Sequence, residues 1–150
     1  MKKSIFNSTD NHEIISRIRH LSPDTKAKWG KMNPAQMLAH LQAPIHVAFG
    51  DIKLKRGLLG VMFGGMAKRK MTGSEPFKKS LPTDKQFIVK DKRDFEEEKK
   101  KLTTMLHKLA DERAYSITKE PHPFFGRLTT EEWDILIWKH LDHHLKQFGV

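Results

Sequence analysis

The chain has 150 residues, of which 37% are hydrophobic and 31% charged, and it contains no cysteine. The length fits one domain with a single core, so we expect a single domain over residues 1–150. The lack of cysteine excludes disulfides, thiolate nucleophiles, iron–sulfur clusters and cysteine-ligated zinc. The formal net charge of +10 admits an anionic partner, such as nucleic acid or an acidic surface.

Residues 1–10 begin basic but have no apolar segment behind them, so we expect no signal peptide and a cytoplasmic location.

The sequence of the N-terminal third predicts two helices. Apolar residues at helical spacing predict a first helix over 10–21. A second helix opens at the capping residue Asn33 and ends at Gly50, and Pro44 is predicted to kink it.

The middle of the chain contains a glycine-rich segment, a strand candidate and a long helix. Residues 57–66 are apolar and glycine-rich, which predicts a short helix or a mobile lid. An interfacial membrane contact is the alternative, which the glycine content and short length disfavour. The best strand candidate is 86–89, and it is short. A third long helix is predicted over 92–110, with Asp91 as its cap.

A fourth long helix begins at the capping box formed by residues 129–132 and ends at Gly149. No stretch of the sequence has the roughly 18 to 20 apolar residues of a transmembrane helix. Four amphipathic helices with little strand predict an all-α four-helix bundle, with a short extra helix or lid between helices 2 and 3.

Basic residues are concentrated between positions 53 and 79, where Glu75 is the single acid. Such a segment either binds an anion or forms a solvated surface. No recognised nucleic-acid-binding motif accompanies it, so nucleic acid is not the expected partner. The basic residues are Lys53, Lys55, Arg56, Lys68, Arg69, Lys70, Lys78 and Lys79.

Two histidines lie in the middle of the apolar stripe of the fourth long helix. With His140 placed at 0° on a helical wheel, His144 falls at about 40°, close to Trp133 at about 20° and Gln147 at about −20°. Side chains four residues apart have Cβ atoms about 5–6 Å from each other, so the two imidazoles can share one metal ion. His143 falls at about −60°, at the edge of the stripe.

His40 lies centrally on the stripe of the second helix. Central stripes face one another in a bundle, so His40, His140 and His144 are predicted to meet and to leave an open coordination position. The alternative is a hydrogen-bonded cluster of core histidines. Imidazole suits zinc, nickel, copper and iron, so the sequence does not identify the metal.

Three further side chains are candidates for the surroundings of this site. His143 and Gln147 are candidates for orienting a ligand or contacting a substrate, although His143 fits equally as a rim residue. Trp133 is interpreted as a packing residue that could line the pocket. His122 is expected to belong to a rigid turn before the last helix. The remaining histidines are interpreted as surface residues: His12, His20, His46 and His107.

Several segments resemble an uncharacterised family of the DinB-like superfamily. The C-terminal signature is carried by 122–129, 132–133 and 140–148, which read HPFFGRLT, EW and HLDHHLKQF. Residues 29–40, WGKMNPAQMLAH, are similar to the family's N-terminal motif, and 80–83, SLPT, to a middle element. Together these segments span most of the chain.

The resemblance implies a DinB-like four-helix bundle with up-down-down-up topology and a three-histidine metal site. By position, the ligands fall on His40, His140 and His144, and the cofactor is a divalent ion such as zinc, nickel or iron. Better-understood members of the superfamily are metal-dependent transferases that act with low-molecular-weight thiols, and some related enzymes are isomerases or hydrolases.

Three functional hypotheses follow. The first is a metal-dependent transferase or hydrolase acting on a small molecule, although no Asp or Glu lies centrally on the helix stripes as a general base. The second is a non-catalytic metal- or ligand-binding protein. The third, binding of nucleic acid or an anionic surface through residues 53–79, ranks last. A homodimer is the default expectation for the assembly.

Overall fold

The computed structural model describes residues 2–150, and its regular secondary structure is helical. Met1, the first residue of the predicted domain, lies outside the described residues. Within 2–150 there is no β-strand, and an isolated bridge joins His122 to Gly126. The prediction of an all-α protein is therefore confirmed for this range. The α-helices are α1 (Ser8–Arg19), α2 (Pro34–Phe49), α3 (Leu58–Met71), α4 (Phe95–Glu112) and α5 (Thr130–Gln147), and two short 3-10 helices cover Lys85–Phe87 and Arg113–Ser116.

The core lies between four of these helices. Helices α1 and α2 each contact both α4 and α5, with the most extensive contact between α2 and α4. Burial of these apolar side chains is the main favourable term in folding, at roughly 25 cal/mol per Å² of apolar surface. The most completely buried apolar side chains are Ile5, Ile14, Ile15, Ile18, Met37, Leu38, Leu41, Ile45, Leu102, Leu106, Leu109 and Trp133.

The helix starts follow local capping. At the start of α2 the Asn33 side chain accepts from the backbone N–H of Gln36, and the Gln36 side chain accepts from the N–H of Asn33. Thr129 and Glu132 form the same reciprocal pair at α5. Asn33 is thus confirmed as the cap of α2 and the capping box at Thr129 is confirmed, whereas the part of Gln36 in a second capping box was not predicted.

Two helices begin at residues other than the predicted ones. Helix α1 begins at Ser8, two residues before the predicted start, because the Asn7 side chain accepts from the N–H of Asp10. Helix α4 begins at Phe95, and its cap is Asp94, which accepts from the N–H of Glu97 at 2.8 Å. The prediction of Asp91 as the cap was therefore wrong.

The best strand candidate, residues 86–89, does not form a strand. Residues Lys85–Phe87 form a 3-10 helix, started by Asp84, whose side chain accepts from the N–H of Gln86 at 2.9 Å. Asp84 also accepts through its backbone carbonyl from the N–H of Phe87. The capping aspartate and the lack of a partner strand in the described range decide the local conformation.

The glycine-rich segment is helical, as one of the two predictions for it stated, and it extends from Leu58 to Met71 as α3. Gly60 and Gly64 face the backbone of Phe124, where a Cβ on Gly64 would come within 2.1 Å of the carbonyl oxygen. The opposite side of α3 is apolar and exposed, and its large side chains are Leu58, Leu59, Val61, Met62, Phe63 and Met66. Among residues 2–150, no helix combines the length and apolar character needed to cross a bilayer.

Candidate metal centre

Three histidines meet where α2 packs against α5. The Nε2 atom of His40 lies 2.9 Å from Nε2 of His140 and 3.1 Å from Nε2 of His144. The rings stand edge to face, with centroids 4.7–4.8 Å apart. The structure thus brings together the residues predicted as ligands, and their nitrogen atoms are close enough to hold one metal ion.

The tautomer of His40 is fixed by the 3-10 helix at residues 85–87. Its Nδ1 atom lies 2.8 Å from the carbonyl oxygen of Phe87, which can only accept a hydrogen bond. Nδ1 therefore carries the proton and donates it to Phe87. Consequently Nε2 of His40 presents a lone pair to the other two histidines.

The tautomer of His144 is fixed in the same way through a side chain. Gln147 donates from Nε2 to the carbonyl of Trp29 at 2.7 Å, and this bond sets the orientation of its amide group. The oxygen of that amide then faces Nδ1 of His144 at 2.7 Å and must accept. Nε2 of His144 is therefore left with a lone pair as well.

Two lone pairs thus face each other between His40 and His144, and one proton from His140 can satisfy only one of them. A cation held by the three histidines would relieve the remaining repulsion. Nitrogens of a tetrahedral zinc site that are about 2.0–2.1 Å from the ion lie about 3.3 Å apart. The observed separations of 2.9 and 3.1 Å are close to that value, so the residues present fit a bound divalent metal.

Burial keeps all three ligand candidates neutral. Desolvation lowers the pKa of His144 to about 3, despite the hydrogen bond to Gln147 that acts in the opposite direction. The pKa of His140 is lowered well below its usual value, first by burial and then by the neighbouring histidines. Burial also lowers the pKa of His40, partly offset by the carbonyl of Phe87. Neutral imidazole is the form that binds metal, so no proton must be displaced at neutral pH.

The three residues predicted around the site have different environments. Gln147 contacts His144 directly. The ring of His143 packs edge to face on that of His144, with centroids 5.1 Å apart. Trp133 lies about two helical turns before His140 and packs against His122, with centroids 5.4 Å apart. Its Nε1 is the buried side-chain nitrogen of residues 2–150 that has no hydrogen-bond partner.

His122 organises the turn before α5, as the sequence predicted. Its Nδ1 accepts from the backbone N–H groups of Phe124 and Phe125 at 3.0 and 3.1 Å. Burial lowers the pKa of His122 to about 4, so the ring is a neutral acceptor. His12, His20 and His107 are exposed, and His46 is half-buried and pairs with Asp51.

Apart from Gln147, the groups that orient the ligands were missed in the sequence. The carbonyls of Phe87 and Trp29 are backbone atoms, so no residue type marks them. Gly30 was also missed: its φ is +82°, and a Cβ there would lie 2.5 Å from Nε2 of Gln147. The only available signal was the Gly following Trp29, because glycine favours positive φ and close approach.

The helical fold and the cluster define a helical protein with a three-histidine site that can hold a metal ion. The chain belongs to the family described as "Protein of unknown function (DUF1569)", whose model matches residues 2–149. No curated protein and no solved structure matches the chain.

Proposed function

We propose that this protein is a divalent-metal-dependent enzyme that acts on a small molecule, as a thiol-dependent transferase or a hydrolase. The proposed ligands are His40, His140 and His144, with zinc, nickel or iron as the metal. The observation that carries the proposal is the opposition of two fixed lone pairs, on His40 and His144, across 3.1 Å. A protein that only packed histidines in its core would gain nothing from orienting both nitrogens inward.

We further propose that the fold is the DinB-like four-helix bundle with up-down-down-up topology. The contacts of α1 and α2 with both α4 and α5 support this arrangement. The position of α3 between α2 and α4 in sequence, largely outside the four-helix core, supports its assignment as an inserted element. In such bundles metal sites are built from side chains on facing helices, which is where the three histidines lie.

A metal held by three neutral imidazoles supplies a Lewis acid that polarises a carbonyl or acidifies a thiol or water. The protein's own groups hold the ligands in one orientation: Phe87 acts on His40, and Gln147 acts on His144. Such outer hydrogen bonds fix ring orientation and raise ligand basicity. Three protein ligands leave a further position for substrate.

A non-catalytic metal-binding role is the second candidate, and one observation favours it. The carboxylate of Asp142, on the same helix as His140 and His144, is already engaged by Arg17 and Lys146 at 2.9 and 2.7 Å. It is therefore not free to act as a general base. In this alternative the same three histidines bind metal, but no turnover follows.

The test is metal content and affinity, measured by elemental analysis and calorimetry on the wild type and on His40→Ala, His140→Ala and His144→Ala. We expect one metal per chain near neutral pH, with affinity lost by at least about 100-fold in each variant. His12→Ala, which removes an exposed histidine, is the control and should bind as the wild type does. Failure of the wild type to bind any offered divalent metal contradicts the proposal.

Activity assays separate the two candidates. The metal-loaded protein is offered low-molecular-weight thiols with model electrophiles, and separately ester and amide substrates. Turnover that is abolished in His144→Ala supports the enzyme. Stoichiometric metal binding without turnover of either substrate class favours the non-catalytic role.

A further inference from the structure

A cavity of about 750 Å³ lies beside the histidine cluster, between α5 and the segment that follows α3. One wall is formed by α5 residues that include Lys139 and His143, and the other by Thr72, Gly73, Ser74, Pro76 and Phe77. Trp29 closes a third side. A volume in this range suits a small organic ligand.

The cavity contains a row of flat side chains. His143 occupies the middle, with its ring centroid 5.7 Å from that of Trp29 and 6.1 Å from that of Phe77. Rings at these separations offer apolar and π surface to a planar molecule. The apolar body of a ligand therefore has a defined place to bind.

Each outer ring of this row carries a lysine. The ammonium of Lys79 lies 4.6 Å from the ring centroid of Trp29, and that of Lys139 lies 4.7 Å from the centroid of Phe77. Lys139 also donates to the carbonyls of Met71 and Gly73 at 2.7 and 2.9 Å, which holds its charge at the cavity wall. One of its three donors remains free for a ligand.

These two lysines differ from the other lysines of the cavity. Lys2, Lys3 and Lys146 each form an ion pair with a carboxylate. Neither Lys79 nor Lys139 has a carboxylate within 4.0 Å in the described part of the chain. Asp142, the acidic residue of the lining, is itself paired with Arg17 and Lys146. The cavity therefore has two lysines without an ion-pair partner next to its aromatic row, and the carboxylate of Glu75 acts on Lys139 only from a longer distance.

The cavity adjoins the metal centre through two residues. His143 contacts the ring of His144 on one side and lines the cavity on the other. The carbonyl of Trp29 accepts from Gln147, which in turn orients His144. A ligand in the cavity thus lies one side chain away from a proposed metal ligand.

We propose that this cavity binds a small organic anion with a flat apolar body, whose charge pairs with Lys79 and Lys139 and whose body packs on Trp29, His143 and Phe77. Such a molecule is the substrate class we assign to the metal centre. Only that last assignment rests on the proposed function, because binding in the cavity requires no metal.

The test uses naphthalene-2-sulfonate as the probe, since a sulfonate is a poor metal ligand, and naphthalene-2-methanol as its uncharged counterpart. Both are titrated by calorimetry into metal-free protein. We expect the anion to bind at least about tenfold more tightly than the alcohol, because a charge-assisted hydrogen bond is roughly twice as strong as a neutral one. Equal affinities for the two molecules overturn the proposal.

Variants locate the binding site. Lys79→Met and Lys139→Met should each weaken binding of the anion by about tenfold and leave the alcohol unchanged, since methionine keeps an apolar side chain of similar length. Lys119→Met, which changes an exposed lysine outside the cavity, is the control. Lys79 makes no hydrogen bond that supports the fold, so its variant tests the site even if Lys139→Met is unstable. Unchanged affinity for the anion in both Lys79→Met and Lys139→Met would show that the probe binds elsewhere, which contradicts the proposal.

A final variant separates this proposal from the metal proposal. His40→Ala lacks a proposed ligand but retains every cavity residue, so it should bind the sulfonate as the wild type does. If the wild type binds no metal while the cavity still selects the anion, the cavity site stands and the metal function fails. If the wild type binds metal but does not distinguish the two probes, the metal proposal stands and the cavity proposal fails.

Discussion

The amide of Gln147 joins the loop before α2 to a proposed metal ligand. Its oxygen accepts from Nδ1 of His144 at 2.7 Å, and its nitrogen donates to the carbonyl of Trp29 at the same distance. Because the donor end is fixed by a carbonyl, the acceptor end cannot rotate away from the imidazole. One side chain therefore determines which nitrogen of His144 can bind a metal.

Gln147→Leu should weaken metal binding by about 10 to 100-fold, because it removes the acceptor that keeps His144 in the required tautomer. Calorimetry with the metal that the wild type binds measures the change. Gln42→Leu is a matched control, since Gln42 is also buried and bonded, but to Glu98 and to backbone carbonyls. It should lower stability and leave metal affinity unchanged, and an equal loss of affinity in both variants contradicts the role of Gln147.

Gly30→Ala should lower both stability and metal affinity. The backbone there has φ of +82°, which costs a residue with a Cβ about 1–2 kcal/mol, and the new methyl group would displace Gln147. Gly50→Ala is the matched control because Gly50 has φ of +78° but faces Thr118. Denaturant unfolding should show similar losses in the two variants, whereas calorimetry should show weaker metal binding only in Gly30→Ala.

His122 should make stability depend on pH. Its folded pKa of about 4 lies below the ordinary value near 6.5, so between these values the unfolded chain takes up a proton that the folded chain does not. Stability therefore falls as pH decreases from 6.5 to 4, by at most about 3 kcal/mol at 1.36 kcal/mol per unit. Protonation would also place a hydrogen on Nδ1, against the N–H groups of Phe124 and Phe125.

The measurement for His122 is urea unfolding at several pH values on the wild type and His122→Asn. An asparagine oxygen can accept from the same backbone groups and does not titrate in this range. We expect the variant to lose less stability than the wild type between pH 6.5 and 4. Parallel curves would show that His122 is not responsible.

Two adjacent glycines in α3 should respond to alanine in opposite ways. A Cβ on Gly64 would lie 2.1 Å from the carbonyl oxygen of Phe124, and backbone cannot yield as a flexible side chain does. Gly64→Ala should therefore destabilise the protein by more than 1 kcal/mol, whereas Gly65→Ala, which meets nothing within 4 Å, should stabilise α3 by about 0.5–1 kcal/mol. Thermal unfolding of both variants tests this prediction. Equal changes in stability would contradict the close packing of Gly64 against Phe124.

The features that could be predicted from the sequence are local or periodic. The cap at Asn33 and the capping box at Thr129 depend on neighbouring residues, and the central positions of His140 and His144 follow from the helical repeat. The meeting of His40 with these two histidines required only that apolar stripes face each other. The all-α class followed from the same stripes.

Two kinds of feature could not be predicted. One depends on backbone groups, which the residue type does not identify, and the other on contacts between residues far apart in the sequence. The carbonyl of Phe87 orients His40 from 47 positions away, and any residue at that position supplies the same atom. The placement of Lys79 over Trp29 joins two surface segments with no common periodicity. Residues 86–89, the best strand candidate, do not form a strand because Asp84 caps a 3-10 turn, a local effect that outweighs the β-propensity of three residues.

Helix α3 approaches the backbone of Phe124 at Gly60 and Gly64 and packs Met71 against the core, while six of its large apolar side chains are exposed. With few interdigitated side chains and one salt bridge, from Lys68 to Glu132, it has little burial to oppose local opening. Its amide hydrogens should exchange with solvent well before those of α4. Thr72, Gly73 and Ser74 directly follow α3 and line the cavity beside His143, so an opening of this helix that displaced them would widen that cavity.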